Sequence, residues 1–172
     1  MLIMLTTSKD LFDHKAERLA LTGYRCSMAG YDHGDPSCWD ELWTAYVNDG
    51  GLDFACNSMG HLHYFVRSLR QGLGQTTQYY PRSFRRVCQQ ECLVVTLLSS
   101  LQHDDGVVTA YTLQRLLGDD LGHRATPIAS AARQFVDVLS QAQLHLMAVP
   151  MSVIQSIVEK SPCATTCPFR LH

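Results

Sequence analysis

Residues 91–118 contain the feature that most constrains the fold: an apolar stretch that leads into an acidic turn and then a capped segment. From Cys92 to Leu98 every residue is apolar apart from Thr96. A helix of this composition has no polar side to present to water, so the stretch predicts a central helix enclosed by others. Its β-branched residues leave a buried strand open as the alternative.

Most of the remaining chain shows apolar residues at helical spacing, as the helices that surround a central one require. Gly23 is interpreted as the end of a first helix that Ser8 caps, and residues 23–36 as a loop. Asp35 and Pro36 have the residue types that begin a helix. The predicted helices cover residues 8–23, 36–48, 58–73, 83–102, 109–117, 127–146 and 150–161.

These segments predict an all-α fold, a single compact helical bundle of about six to seven helices over residues 1–160, followed by a C-terminal tail at 161–172. A short N-terminal strand and a small wing near 144–149 remain open additions. Trp39 and Trp43 lie on one apolar stripe of the second helix. We expect both to anchor the core, with a binding platform as the alternative.

Composition argues for a cytoplasmic chain with no membrane partner. Hydrophobic residues make up 46% of the sequence, but no apolar run approaches the roughly 18 residues that span a bilayer. The N-terminus lacks the basic start of a signal peptide. The seven cysteines are therefore expected to be reduced and mostly buried. A net charge of −2 gives no general attraction to nucleic acid.

Arginine and aromatic residues alternate in one segment, residues 79–86, and two more arginines precede it. Arginine and tyrosine are enriched in the residues that dominate protein interfaces, and the same mixture suits single-stranded nucleic acid. A solvated loop is the third interpretation. The candidate binding residues are Arg67, Arg70, Tyr79, Tyr80, Arg82, Phe84, Arg85 and Arg86.

From this segment we expect a small non-enzymatic protein that acts by binding a macromolecule, as a regulator, adaptor or inhibitor. A protein partner is favoured, nucleic acid is the alternative, and a homodimer remains open. No phosphate-binding glycine loop or nucleophile motif is present, so no catalytic residue and no cofactor are predicted.

A helix-turn-helix regulator is the first alternative function. Residues 109–146 supply a short capped helix, a glycine-containing turn and a long amphipathic helix in the required order. Arg124 and Arg133 are the candidate DNA contacts. Asp119 and Asp120 lie in the turn, where they would oppose the phosphate neutralisation that drives DNA affinity.

A metal-dependent enzyme is the second alternative. LQHDDG, which contains His103 and Asp104, loosely resembles the motif of HD-class all-α phosphohydrolases. The resemblance implies a divalent ion that activates water. It would draw on His63 or His61 upstream and on Asp137 downstream. His-Asp is a common dipeptide, however, and the same residues form an ordinary turn.

Four cysteines leave a zinc site open without predicting one. Cys88 and Cys92 are four residues apart on one helix face, and Cys163 and Cys167 show the same spacing in the tail. Structural zinc usually has tighter cysteine pairs, so buried thiols are the preferred interpretation.

Overall fold

Seven α-helices and no strand make up the part of the chain that the computed structural model describes, which is residues 13–74, 77–118 and 121–160. This confirms the all-α bundle. None of the described helices is both long enough and apolar enough to cross a bilayer. The helices are α1 (Lys15–His33), α2 (Ser37–Gly50), α3 (Leu52–Leu73), α4 (Gln89–Gln102), α5 (Gly106–Leu117), α6 (Gly122–Gln141) and α7 (Met151–Lys160).

Helix α4 is the central helix that its composition predicts. Its residues from Leu93 to Leu101 are all buried, and it contacts α1, α5, α6 and α7. It begins at Gln89 rather than near Ser83, so the predicted helix was six residues too long. The start is fixed by a capping box in which the Glu91 carboxylate accepts from the Cys88 N–H while the Cys88 side chain accepts from the backbone of Glu91.

Helix α1 continues through Gly23 to His33, which corrects the predicted loop at 23–36. A Cβ atom on Gly23 would lie 2.2 Å from Tyr46 Oη, so the glycine lets α1 approach α2 closely. The true end is at Gly34, whose φ of +64° is in the left-handed region that glycine adopts without strain.

Three further helix starts differ from the predicted ones. Helix α3 begins at Leu52, six residues before the predicted start at Ser58. Helix α6 begins at Gly122, and Pro127 lies inside it rather than at its first position. Helix α5 begins at Gly106, three residues before the predicted start and cap at Thr109. Its actual cap is Asp105, whose Oδ1 accepts from Val108 N–H at 3.0 Å. The final helix follows Pro150 as predicted. The predicted N-terminal strand and the C-terminal tail lie outside the described residues.

The segment 144–149 is not a wing but an extended connection that side chains hold against the bundle. Gln102 donates to Leu144 O at 2.9 Å and accepts from Leu146 N–H at 2.7 Å. Glu17 accepts from Met147 N–H at 2.6 Å. Leu144 and Leu146 are buried. Hydrogen bonds to side chains therefore replace the strand pairing that a wing would need.

Candidate interaction surface

Arg25 of α1 and Glu91 of α4 form an ion pair in the interior. Arg25 Nε lies 2.7 Å from Glu91 Oε1, and Nη2 lies 2.9 Å from Oε2, which is the two-pronged geometry of the strongest arginine–carboxylate pairs. Only 1% of the arginine side chain and none of the glutamate side chain is exposed. No sequence pattern indicates this pair, because the predicted loop at 23–36 includes Arg25.

The pair also makes hydrogen bonds to residues 77–88, which we call the arginine loop. Arg25 donates to Phe84 O at 2.7 Å and also to Pro81 O and Arg86 O. Glu91 accepts from the N–H groups of Tyr80 at 2.8 Å and Cys88 at 2.9 Å. A segment without regular structure is thus anchored at five backbone groups by one buried pair.

Two tyrosines add anchors at the start of the arginine loop. Tyr24 Oη lies 3.2 Å from both Gln78 O and Gln90 Oε1. Burial raises the pKa of Tyr24 well above its ordinary value, so the hydroxyl stays protonated and able to donate. Tyr79 donates to Asp32 Oδ2 at 2.8 Å. Burial, followed by this hydrogen bond, raises the pKa of Tyr79 as well.

The side chains at the tip of the arginine loop face solvent while its backbone faces the bundle. Arg82, Phe84, Arg85 and Arg86 are exposed, and Arg82 pairs with Glu41 of α2 at 3.1 Å. The rings of Tyr80 and Phe84 pack with centroids 4.7 Å apart. No acidic residue occurs between 77 and 90, so this loop is a local concentration of positive charge.

The two arginines of α3 lie beside the same surface. Arg70 pairs with Asp32, the residue that also binds Tyr79, and its guanidinium lies 5.3 Å from the Tyr31 ring centroid. Arg67 is exposed one turn earlier. Asp32 therefore joins the arginine loop to α3, and the candidate residues predicted from both segments lie along one connected surface.

Next to the arginine loop lies the aromatic patch, which we define as the contacting rings of Tyr31, Trp39 and His63 together with Trp43 on the same helix as Trp39. The Trp39 ring centroid lies 5.4 Å from that of Tyr31 and 4.5 Å from that of His63. Trp43 follows one helical turn after Trp39 and is 40% exposed. Burial lowers the pKa of His63, which favours its neutral form.

The prediction that both tryptophans anchor the core is confirmed only for Trp39, which is partly buried and packs against the core, whereas Trp43 is exposed. Helix α2 lies at the edge of the bundle and buries only Leu42, Ala45 and Tyr46. Trp39 lies over Gly30, where a Cβ atom would be 2.5 Å from the indole ring. Sequence spacing identifies an apolar stripe, but it does not distinguish the centre of a bundle from its edge.

The arginines of the alternative DNA site are engaged within the fold. Arg124 donates to Gly72 O at 3.1 Å. Arg133 donates to Leu101 O and pairs with Asp104 at 2.8 Å. Both tie α6 to neighbouring helices, and DNA binding stays an untested prediction.

The residues of the alternative metal site are not brought together. His103 hydrogen-bonds Leu146 O at 2.8 Å, whereas His63 belongs to the aromatic patch. Asp137 and His61 line an open polar groove of about 380 Å³ between α3 and α6. Within the described ranges no group of three or more His, Cys, Asp or Glu side chains could hold a metal ion.

The cysteines of the open zinc question are divided between described and undescribed residues. Burial raises the pKa of both Cys88 and Cys92 to about 12, which disfavours the thiolate that binds zinc. Cys163 and Cys167 lie outside the described residues.

Comparison with known proteins finds no match for this chain among protein-family models, curated proteins or solved structures.

Proposed function

We propose that the protein binds an acidic protein partner through the arginine loop and acts by that interaction rather than by catalysis. The observation that carries the proposal is the anchoring of this loop by Arg25 and Glu91. Five backbone groups are held from inside the molecule, while Phe84, Arg85 and Arg86 are left facing solvent.

A buried ion pair is a costly way to stabilise a fold. Removing both charges from water costs several kcal/mol per ion, which attraction within the pair only partly offsets, and apolar side chains of similar volume often serve stability as well. A pair that also fixes a surface loop has a further effect, because a loop held in one conformation loses less entropy on binding. This supports a role for Arg25 and Glu91 in presenting the loop.

The charge of the exposed side chains supports an acidic partner. Asp32 and Glu41 are already paired with Arg70 and Arg82. Within the described part of the chain no acidic side chain pairs with Arg85 or Arg86. Positive charge of this kind increases the rate and the specificity of association with an acidic surface, although it adds less to affinity.

Affinity purification of the tagged full-length protein from its native host, with nuclease present, tests the proposal. The double charge reversal Arg85→Glu/Arg86→Glu should abolish capture of the partner. The matched control is Lys15→Glu/Arg115→Glu, which changes charge equally at two exposed positions away from the loop, and it should retain the partner.

Three results contradict the proposal. The partner could remain bound to the Arg85→Glu/Arg86→Glu variant, which would place the interface elsewhere. Both double variants could lose it equally, which would make the effect one of overall charge. Capture could also depend on nucleic acid and disappear with nuclease, which would favour the nucleic-acid alternative.

A further inference from the structure

The aromatic patch and the arginine loop are two parts of one surface. Tyr79 of the loop binds Asp32, and Arg70, the other partner of Asp32, lies over Tyr31 of the patch. On the other side Arg82 reaches Glu41, two residues after Trp39. The loop is therefore attached to α1 through Asp32 and to α2 through Glu41, two of the three helices that carry the patch.

This surface exposes more apolar area than a solvated loop requires. Tyr31 is 38%, Trp43 40% and Phe84 37% exposed. They account for three of the six large hydrophobic side chains that are exposed within the described residues. Aromatic side chains of this kind, when bordered by polar groups, mark interaction sites.

Positive charge borders the patch on two sides. Arg67 follows His63 by one turn of α3, so both lie on the same face of that helix. Arg85 and Arg86 are exposed on the arginine loop, which Tyr79 and Arg82 attach to the helices of the patch. No acidic side chain among the described residues pairs with Arg67, Arg85 or Arg86, so these three charges remain for a ligand.

We propose that the occupant of this surface is an acidic amphipathic peptide segment of the partner protein. Its apolar side chains pack on the aromatic patch, and its carboxylates pair with Arg67, Arg85 and Arg86. This inference rests on the proposed function and specifies the partner's chemistry: a segment that carries both acidic and large apolar residues.

The acidic groups on this surface favour such a peptide over a nucleic acid. Asp32 and Glu41 pair with Arg70 and Arg82 on this surface, and a peptide can place neutral residues opposite these carboxylates. A single-stranded nucleic acid carries a charge at every nucleotide, so its backbone would pass these carboxylates. The Trp39 ring is also already packed against Tyr31 and His63, which leaves less of its face for a base.

Selection from a display library of random peptides on the immobilised full-length protein tests this inference. The enriched sequences should combine Asp or Glu with Leu, Phe or Trp. The chain has only two tryptophans, and both are in the patch, so intrinsic fluorescence reports binding directly. A bound peptide that itself lacks tryptophan should shift the emission of the protein to the blue and reduce its quenching by acrylamide.

Variants separate the contribution of the patch from that of the loop. Trp43→Ala should weaken a selected peptide by about tenfold or more, as for a central interface aromatic residue, measured by calorimetry. Leu52→Ala and Val107→Ala alter apolar side chains that are 59% and 73% exposed elsewhere, and they should leave the affinity unchanged.

Each alternative result overturns the inference in a distinguishable way. If no acidic and apolar peptides are enriched, the surface does not bind such segments. A second result is that oligoglutamate binds as well as the selected peptides and that Trp43→Ala has no effect. The arginine loop would then bind acidic peptides without the aromatic patch, so this inference would be wrong while the proposed function would stand. If Arg85→Glu/Arg86→Glu also leaves affinity unchanged, both fail. A single-stranded oligonucleotide that displaces the peptide would assign the surface to nucleic acid.

Discussion

At the scale of single residues, Arg25 and Glu91 connect the interior of the bundle to its surface. Each is the partner of the other and also of the arginine loop. The pair thus has two separable effects, one on global stability and one on the order of the loop. Variants that remove one or both charges should affect these two properties differently.

Replacement of Glu91 by Ala should lower the free energy of unfolding by about 3–5 kcal/mol, because it leaves a buried guanidinium without its carboxylate. The double variant Arg25→Met/Glu91→Leu should recover part of this loss, since no charge then remains buried. Both variants should release the arginine loop, so trypsin should cleave the folded protein after Arg82, Arg85 or Arg86 faster than it cleaves the wild type. Loop cleavage at the wild-type rate in the double variant would show that the pair does not order the loop.

Two glycines inside helices should respond in opposite directions to substitution by alanine. Gly23→Ala should destabilise the protein by about 1–3 kcal/mol, as overpacking does, because its Cβ atom would meet the buried Tyr46 hydroxyl. At Gly60 in α3 no atom lies within 4 Å of an added Cβ. Gly60→Ala should therefore raise the free energy of unfolding by about 0.5–1 kcal/mol. Denaturant unfolding measures both, and equal effects would contradict the close contact at Gly23.

At the scale of elements, α4 holds the connection at 144–149 through Gln102. The side-chain amide of Gln102 donates hydrogen bonds to Ser140 Oγ and Leu144 O, and it accepts one from Leu146 N–H. Gln102→Ala should lower the free energy of unfolding by about 1–3 kcal/mol, because these partners lose their hydrogen bonds. Hydrogen exchange should become faster at the Leu146 amide, whereas Gln114→Ala, at an exposed position of α5, should leave it unchanged. Unaltered protection of Leu146 in the Gln102 variant would refute this role.

The sequence predicted the elements better than their boundaries. Apolar spacing identified the central helix and the surrounding helices, because both depend on local composition. The misplaced end at Gly23 involves a contact distant in sequence, that of Gly23 with Tyr46, which local residue preferences do not contain. The start of α4 is set locally by the capping box of Cys88 and Glu91, whereas the residues before it are held by Arg25 from a distant helix.

The candidate surface was also only partly predictable. The alternation of arginine and aromatic residues at 79–86 identified the segment, although the apolar spacing predicted a helix from Ser83 onward, where the structure has a loop up to Cys88. The aromatic patch was missed as a neighbour of that loop, because Tyr31 and His63 come from different helices and no sequence pattern joins them. The pairing of Arg70 and Tyr79 through Asp32 is likewise visible only in three dimensions.

At the scale of the whole molecule, buried thiols and phenols should make stability fall in alkaline solution. Burial raises the pKa of Cys26 to about 11 and that of Cys88 and Cys92 to about 12, and it raises the pKa of Tyr24 and Tyr46 in the same direction. The unfolded chain loses thiol protons near pH 9, where the folded protein still holds them.

The stability that these protonated groups contribute is therefore complete below about pH 9 and is lost as the pH rises toward 12. Urea unfolding at pH 8, 9 and 10 should show a free energy of unfolding that declines only above pH 9. Cys26→Ala should reduce the slope of that decline. A free energy that rises between pH 8 and 10 would contradict the burial of these groups.

The central claim is that a buried ion pair presents the arginine loop in a form ready to bind. The most direct test is calorimetric titration of an acidic, apolar peptide selected on the wild type into the wild type and into Arg25→Met/Glu91→Leu, which keeps every exposed side chain. The account predicts binding weaker by about tenfold in the variant, with a larger entropic cost because the loop must order on binding. Equal affinity and equal entropy in the two proteins would contradict it.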